Sequence, residues 1–420
     1  MKRLMVAGWC VAAFAAASAG TWYVDDDNYG SSGDGRSAAA AFGTIQEAMD
    51  NASLTAGDTV ILMPGSYDQG GDVTTGGQGM AARVVVKKAN ITIRSSTGKA
   101  EDVHIVGHLD NSAGNDHGMG TGAMRCLADT GVTGIVVHGV TFRNGATTPE
   151  ILKSGSPDGR GGGIYSSGHG RITIIDCVVS NCAAMRSGGA YQVIAHSTLF
   201  TGNYIGGNNG SAIGYGSAAN CLIAYNTTSS QYPMAYMYNV VNCTIARNAL
   251  PNASNGGLNN SVLDGVSQRF CNVLAFGECR NTASGANVYS GVFASNPVFA
   301  TTNEVTVTEV DPAGECVAPV LGDWRPLSTG HCPNRGRGEY LLYVPMPEGY
   351  TYHDMAGNEV PTNGPVSVGA FQEVVTPAAA RIVFNTHGSD YNYTFTVEGA
   401  VHPSHPEERL DQSAFLANRL

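Results

Sequence analysis

The chain has 420 residues, of which 43% are hydrophobic and 14% charged, with a formal net charge of −11. The hydrophobic share excludes a disordered chain, and an acidic surface with few bases excludes a nucleic-acid binder, because phosphate contacts need clustered Lys and Arg. The same balance is ill suited to anionic membrane surfaces, and the length fits either two or three ordinary domains or one long repeat domain.

The first element is a targeting segment. Lys2 and Arg3 form a positive n-region, Leu4 to Ala16 is a short apolar run, and Ala17-Ser18-Ala19 is a cleavage site. Residues 1–19 therefore read as a signal peptide, with the mature chain starting near Gly20. The apolar run is too short for an anchor and no other stretch is long enough to span a bilayer. The sequence predicts an exported protein without a transmembrane helix.

Residues 20–57 read as an N-terminal strand and a capping helix. Thr44-Ile45-Gln46-Glu47 is a capping box, and Ile45, Ala48, Met49 and Ala52 give one apolar stripe. This predicts a short helix over 44–52 that plugs one end of a solenoid. Asp58 to Leu62 starts the first rung, with Pro64-Gly65 as a turn.

The repeats then decide the fold. Small residues at 139, 177, 197, 221 and 243 each precede a short apolar run, in steps of 38, 20, 24 and 22. A second marker runs in phase with the first: Gly162-Gly163-Ile164, Gly188-Gly189-Ala190, Gly210-Ser211-Ala212 and Gly256-Gly257-Leu258. Two markers sharing one period signify a solenoid. The runs have period two and no unit holds a helix-length segment, so the units are β-rungs. The predicted fold is all-β: a single-stranded right-handed parallel β-helix over 58–298 with an N-terminal capping helix. Residues 299–375 read as its irregular C-terminal end, and 376–420 as a linker and a short β-hairpin tail.

Ten cysteines are present, nine after Cys10 of the leader is set aside. Cys177, Cys221 and Cys243 read as one inward ladder beside Gly139 and Ser197, made of buried thiols that act as small hydrophobes. Cys316 and Cys332 lie beyond the repeats. They are the disulfide candidate, where a bridge closing a short loop contributes about 3 kcal/mol.

Several stretches resemble known families. Trp22-Tyr23-Val24-Asp25, Gly33-Asp34-Gly35, Thr44 to Ala48, Gly57 to Val60 and Pro64 to Tyr67 resemble the opening of pectate-lyase-like β-helix proteins. The later Gly-Gly-x-Ile and x-Cys-x-Ile-x-x-Asn units resemble bacterial surface β-helix repeats. Asp354-Met355-Ala356-Gly357-Asn358-Glu359 through Ser367 to Gln372 is similar to the end of choice-of-anchor Q proteins. Together these cover roughly residues 22–372. The resemblance implies a scaffold that hosts lyases, hydrolases and adhesive proteins alike.

A lyase of that family needs a Lys or Arg base and often Ca²⁺ held by several Asp, and a β-helix hydrolase needs paired carboxylates about 5 to 10 Å apart. The last lysine of the chain is Lys153, and between Cys177 and Ala300 the only acids are Asp264 and Glu278. That supply argues against catalysis in the central body. Charge collects instead in two excursions, one with Asp110, Asp116 and His117, the other with Glu150, Lys153, Asp158 and Arg160. If both leave the coil on one side, they flank one groove. Otherwise they are solvated surface loops.

Tyr191, Tyr215, Tyr225, Tyr236 and Tyr238 offer faces for sugar rings or simply ladder partners. Asp25, Asp27 and Asp34 offer oxygen ligands for Ca²⁺, but Arg36 stands where an EF-hand needs Glu, so a solvated acidic turn is the alternative. The sequence thus predicts a secreted or bacterial cell-surface scaffold, monomeric and without a cofactor, that contacts polysaccharide or cell-surface glycans through Asp110, Asp116, His117, Glu150 and Asp158. The alternative is a polysaccharide lyase acting on uronic-acid polymers from the early rungs, with Lys153 or Arg160 as catalytic base and Ca²⁺ as its cofactor.

Overall fold

The computed structural model describes residues 19–75, 78–112, 114–149, 158–207, 210, 212–228 and 235–248, short strands between 263 and 318, residues 323–374, and the strands of two C-terminal hairpins between 381 and 409. The leader expected over 1–19 lies almost wholly outside the described residues, as do Glu150 and Lys153.

The chain winds as a right-handed parallel β-helix. Each rung adds one strand to each of three sheets, as in Ile135–His138, Thr141–Arg143 and Ile164–Tyr165, then Ile172–Ile175, Val178–Ser180 and Ala190–Tyr191. Among the described residues the first sheet has 11 strands, from Thr21–Val24 to Thr301–Asn303, and the second has 10, from Gly65–Tyr67 to Thr306–Val307. The third has 8, all parallel except Asp72–Thr75, which returns antiparallel on Gln78–Val86. The sheets begin with the N-terminal strand, because Thr21–Val24 pairs in parallel with Thr59–Leu62. Asp58 fixes this pairing by accepting hydrogen bonds from the Gly20 amide at 2.6 Å and from the Trp22 indole at 2.9 Å.

The helix expected near 44–52 forms over Ile45–Asp50. Thr44 and Glu47 close the capping box, and Ile45, Ala48 and Met49 are buried against the end of the coil. Inside the coil, alternate residues of the three sheets meet in one apolar core. Phe142, Phe200 and Phe270 are fully buried there, and Phe200 lies in register between Val179 and Ile223. Burying a side chain of this size stabilises the fold by about 2 to 3 kcal/mol before cavity effects are counted.

The turn from the first to the second sheet corrects the expected register. Gly139, Asp176, Ser197, Asn220, Asn242 and Asn272 occupy equivalent positions, each with positive φ, from 45° at Ser197 to 66° at Gly139. Only Gly and short polar residues take that conformation cheaply. Cys177, Cys221 and Cys243 stand one residue later, in line with Val140, Thr198 and Val273. Gly139 and Ser197 therefore belong to the turn and not to the cysteine ladder. The three cysteines are buried free thiols, and burial pushes the Cys177 thiol up to about 12.

The Gly-Gly marker reflects a close backbone approach. A Cβ on Gly162 would lie 2.3 Å from the Ala183 carbonyl oxygen, and one on Gly163 would lie 2.6 Å from that of Gly189. The glycines allow successive rungs to approach where the chain enters the third sheet.

The turn leaving the second sheet carries an asparagine ladder. Asn203, Asn226 and Asn248 are buried, and each side-chain oxygen accepts the backbone amide of the preceding rung: Cys182 at 3.1 Å, Asn203 at 3.0 Å and Asn226 at 2.9 Å. The side-chain amides donate inward to the carbonyls of Val179, Phe200 and Ile223. Backbone groups that a turn would leave unpaired in the interior are satisfied in this way.

The segment after the rungs folds back as a strap along the outside of the coil. Leu341, Val344, Val360 and Val366 cover Ala219, Val241 and Cys271 on the outer face of the first sheet. Trp324, Cys332 and Val368 cover Leu222, Ala246 and Leu274 on that of the second. The expected Cys316–Cys332 bridge is not formed. Both are buried free thiols, and the Cys332 sulfur faces the Glu315 carboxylate at 3.6 Å. Arg381–Thr386 and Tyr393–Glu398 form an antiparallel pair beyond the strap. Among the described residues no helix is long and apolar enough to cross a membrane.

Candidate functional site

Both charged excursions leave the coil at the same edge, between the second and third sheets. The first runs from Val106 to Arg125 and the second from Arg143 to Ile164. They lie on successive rungs, and residues 150–157 of the second are outside the described residues.

The first excursion is held by its own acids. Asp110 accepts the Ser112 hydroxyl at 2.5 Å and the Gly122 amide at 2.9 Å, and these hydrogen bonds lower its pKa to about 2. Asp116 accepts the Tyr204 hydroxyl at 2.8 Å through Oδ2, and its Oδ1 lies 2.6 Å from His117 Nδ1. The His117 ring stacks on Tyr204 with centroids 3.4 Å apart. Beneath this tip, Met80, Met119, Ala123, Ala146 and Ala183 make a small apolar cluster, with Met185 packed against it.

The second excursion is anchored by a residue the sequence reading passed over. Arg125 is 1% exposed, and its guanidinium donates to the backbone carbonyls of Asp158 at 3.2 Å, Arg160 at 3.0 Å and Gly161 at 3.2 Å. Burial lowers the pKa of Arg125 to about 10, so it stays charged at neutral pH. Three carbonyls partner the cation, which makes burying it tolerable.

Arg160 itself reaches the third sheet. It donates to the Tyr191 hydroxyl at 3.0 Å, and its guanidinium lies 5.1 Å from the Tyr191 ring centroid. Tyr165, Tyr191 and Tyr215 form a column, with centroids 5.9 Å and 5.5 Å apart. Tyr191 is buried, whereas Tyr165 and Tyr215 keep part of their faces open. Arg186 forms a parallel backbone bridge with Arg160 on the adjacent rung, and its charge, like that of Arg160, acts on the Tyr191 hydroxyl. Arg186 is also next in the chain to Met185, which packs with the first excursion.

A second cluster lies on the opposite side of the second sheet and was not foreseen. Asp176 accepts His138 Nε2 at 3.0 Å through Oδ2 and faces His353 Nε2 at 2.5 Å through Oδ1. Burial works to raise the pKa of Asp176, but the two imidazoles outweigh it and hold the carboxyl at about 2. The hydrogen bond to Asp176 raises His353 above the usual histidine range, against its burial. His196 lies close by, and burial pushes it down to about 4. The signal was present in the sequence: Asp176 occupies a turn position that carries Asn on three other rungs.

The acidic N-terminal run does not converge. Asp25 accepts the Asp27 amide, Asp26 the Ser66 amide and Asp34 the Arg36 amide, so each closes a local turn or pairing. Among the described residues no group of three or more His, Cys, Asp or Glu is arranged to hold a metal ion.

Comparison with solved structures finds likenesses at low identity and low TM-score. A pectate lyase, Pel9A, is 13% identical with a TM-score of 0.43, and the match covers 84% of this chain and 96% of that one. A pectin methylesterase from carrot is 10% identical with a TM-score of 0.36, covering 70% of this chain and 89% of the enzyme. One from Aspergillus niger is 13% identical with a TM-score of 0.30, covering 70% and 91%. No family model matches the chain, and neither does any curated protein. Fold and chemistry rest on the strands and residues above.

Proposed function

We propose that the chain is an exported β-helix scaffold that contacts acidic glycans, without cleaving them, along the edge where its two excursions leave. The observation that carries this reading is the Arg160 guanidinium on the Tyr165–Tyr191–Tyr215 column, with Arg186 at the bridged position of the adjacent rung. Guanidinium groups pair with carboxylates in a planar fork, and tyrosine faces suit sugar rings. A uronic-acid polymer offers both partners, and rungs stacked about 4.8 Å apart can present them along an extended chain.

The acids of the edge support contact over catalysis. Asp110 accepts hydrogen bonds from its own loop and Asp116 is held by Tyr204 and His117. These carboxylates order the excursions. Export rests on the leader in the sequence, and presentation at a cell surface on the resemblance of residues 354–372.

Isothermal titration with polygalacturonate tests the reading. Weak, salt-sensitive binding is expected, with about a tenfold loss in Arg160→Ala, the scale of one charge-assisted pair. A neutral galactan should bind no better than that variant. Equal binding by the wild type and Arg160→Ala, with the fold intact by circular dichroism, would remove this edge from the interaction.

A further inference from the structure

We propose that His353 is a pH latch, which fixes the C-terminal strap to the β-helix while its imidazole is protonated and frees the strap at alkaline pH. Both ring nitrogens of His353 face oxygen acceptors: Nε2 lies 2.5 Å from Asp176 Oδ1, and Nδ1 lies 3.0 Å from the Thr351 carbonyl oxygen. Neither an ionised carboxylate nor a carbonyl has a hydrogen to give. Both nitrogens must therefore carry protons, and the closed arrangement contains an imidazolium. Loss of one proton turns a lone pair toward an oxygen and removes a charge-assisted bond. His138, Asp176 and His353 each keep between 20% and 30% of their side chains exposed, so they exchange protons with solvent.

The latch sits where the strap meets the turns. The Ser197 hydroxyl donates to the His353 carbonyl at 2.6 Å. Just after it, the Asp354 carboxylate gathers the amides of Ala356, Asn358 and Gln372, which makes the loop a rigid clasp. Further along, Ala370 donates to Thr244 Oγ1 at 2.9 Å, and Arg337 donates to Asn272 Oδ1 at 3.1 Å. Freeing this strap would uncover Ala219, Val241 and Cys271 on the first sheet.

Several groups packed around the latch keep one charge state over its range. From the rungs, burial keeps His196 neutral down to about pH 4, and Arg94 carries a guanidinium, which does not deprotonate in this range. From the strap, burial raises the pKa of Tyr350, so it stays neutral, and the buried Asp354 is held by its amides. His138 bonds the other oxygen of Asp176 through Nε2, a contact that either of its charge states can make. The sign follows from the two shifted partners. The His353 contribution is complete below the unfolded histidine value of about 6.5 and is lost as pH rises through its raised folded value. The Asp176 contribution is complete above the unfolded value of about 3.9 and is lost toward pH 2. The strap is therefore held most firmly from about pH 4 to 6.5.

Hydrogen exchange of strap amides 337–372, corrected for intrinsic rates, tests the latch between pH 6 and 9. Protection in the wild type should fall about tenfold, the scale of one charge-assisted hydrogen bond. His353→Gln should start low and stay flat. Asp176→Asn should behave alike without disturbing the rung, because Asn stands at the equivalent positions 220, 242 and 272. His138→Gln should keep the fall. A flat wild-type profile would overturn the latch, as would the same fall in His353→Gln or Asp176→Asn.

Discussion

Replacement of Asn226 by Ala is expected to destabilise the rungs around it by about 3 to 5 kcal/mol, because two to three buried groups at 1 to 3 kcal/mol each lose their partners. Asn226 is the middle member of its ladder. Its Oδ1 accepts both the backbone amide and the side-chain amide of Asn203, at 3.0 and 2.9 Å. Its Nδ2 donates to the Phe200 carbonyl at 2.9 Å and to Asn248 Oδ1 at 3.0 Å. The whole ladder is buried, so Ala would leave the Asn203 amide and the Phe200 carbonyl unsatisfied. Asn226→Asp should be no better tolerated, since a carboxylate there has no proton to give the Phe200 carbonyl and brings an unpaired buried charge. Because a solenoid is held by nearest-neighbour interfaces, the loss should appear first in strands Leu199–Thr201, Leu222–Ala224 and Thr244–Ala246. Native-state hydrogen exchange resolves those strands individually, and a change under about 1 kcal/mol there would refute the ladder's role.

Replacement of Phe200 by Ala should cost about 3 to 5 kcal/mol by a different route, the loss of buried apolar surface plus a cavity. The ring is fully buried between Val179 and Ile223 in register. Rungs above and below are fixed by parallel hydrogen bonds, so the core cannot collapse far into the space. Phe200→Leu retains most of the volume and should cost less than half as much. Leu199, the adjacent residue, points outward under the strap and is only partly buried, so Leu199→Ala should cost least of the three. Urea unfolding of the three variants checks that order. A Leu199→Ala loss equal to that of Phe200→Ala would contradict the assignment of inner and outer faces.

The rungs were legible in the sequence because their two markers answer to real constraints. The Gly-Gly pairs mark a backbone approach that no Cβ survives, and the Cys and Asn positions bracket the turns. The register between markers was misread by one residue, since Gly139 and Ser197 are as small as the cysteines they were aligned with. Only the need for positive φ separates the two positions, and it picks out Gly, Asp, Ser and Asn together. The edge where the excursions leave was half legible. Asp110, Asp116, His117, Asp158 and Arg160 were found as charged excursions, but Arg125 was not, because a buried arginine inside a strand gives no sign of the carbonyls it will meet. The strap was not legible at all. Its apolar residues Leu341, Val344, Val360 and Val366 follow no period, since each fits an outer face built by rungs far earlier in the chain. The oddly apolar outer faces at Ala219 and Val241 were the available hint. Asp176 and His353 are likewise joined across 177 residues of chain, a pairing that local pattern cannot reveal.

The central claim is that the edge carrying Arg160 and Arg186 holds glycans without breaking them. The most direct measurement is incubation of the purified chain with polygalacturonate and other uronic-acid polymers, with and without Ca²⁺, while the ultraviolet absorbance of unsaturated products is followed. The account predicts no rise above buffer with any polymer, including those that titration shows to bind. A steady rise that disappears in Lys153→Ala or Arg160→Ala, with folding preserved, would contradict it and make this chain a polysaccharide lyase.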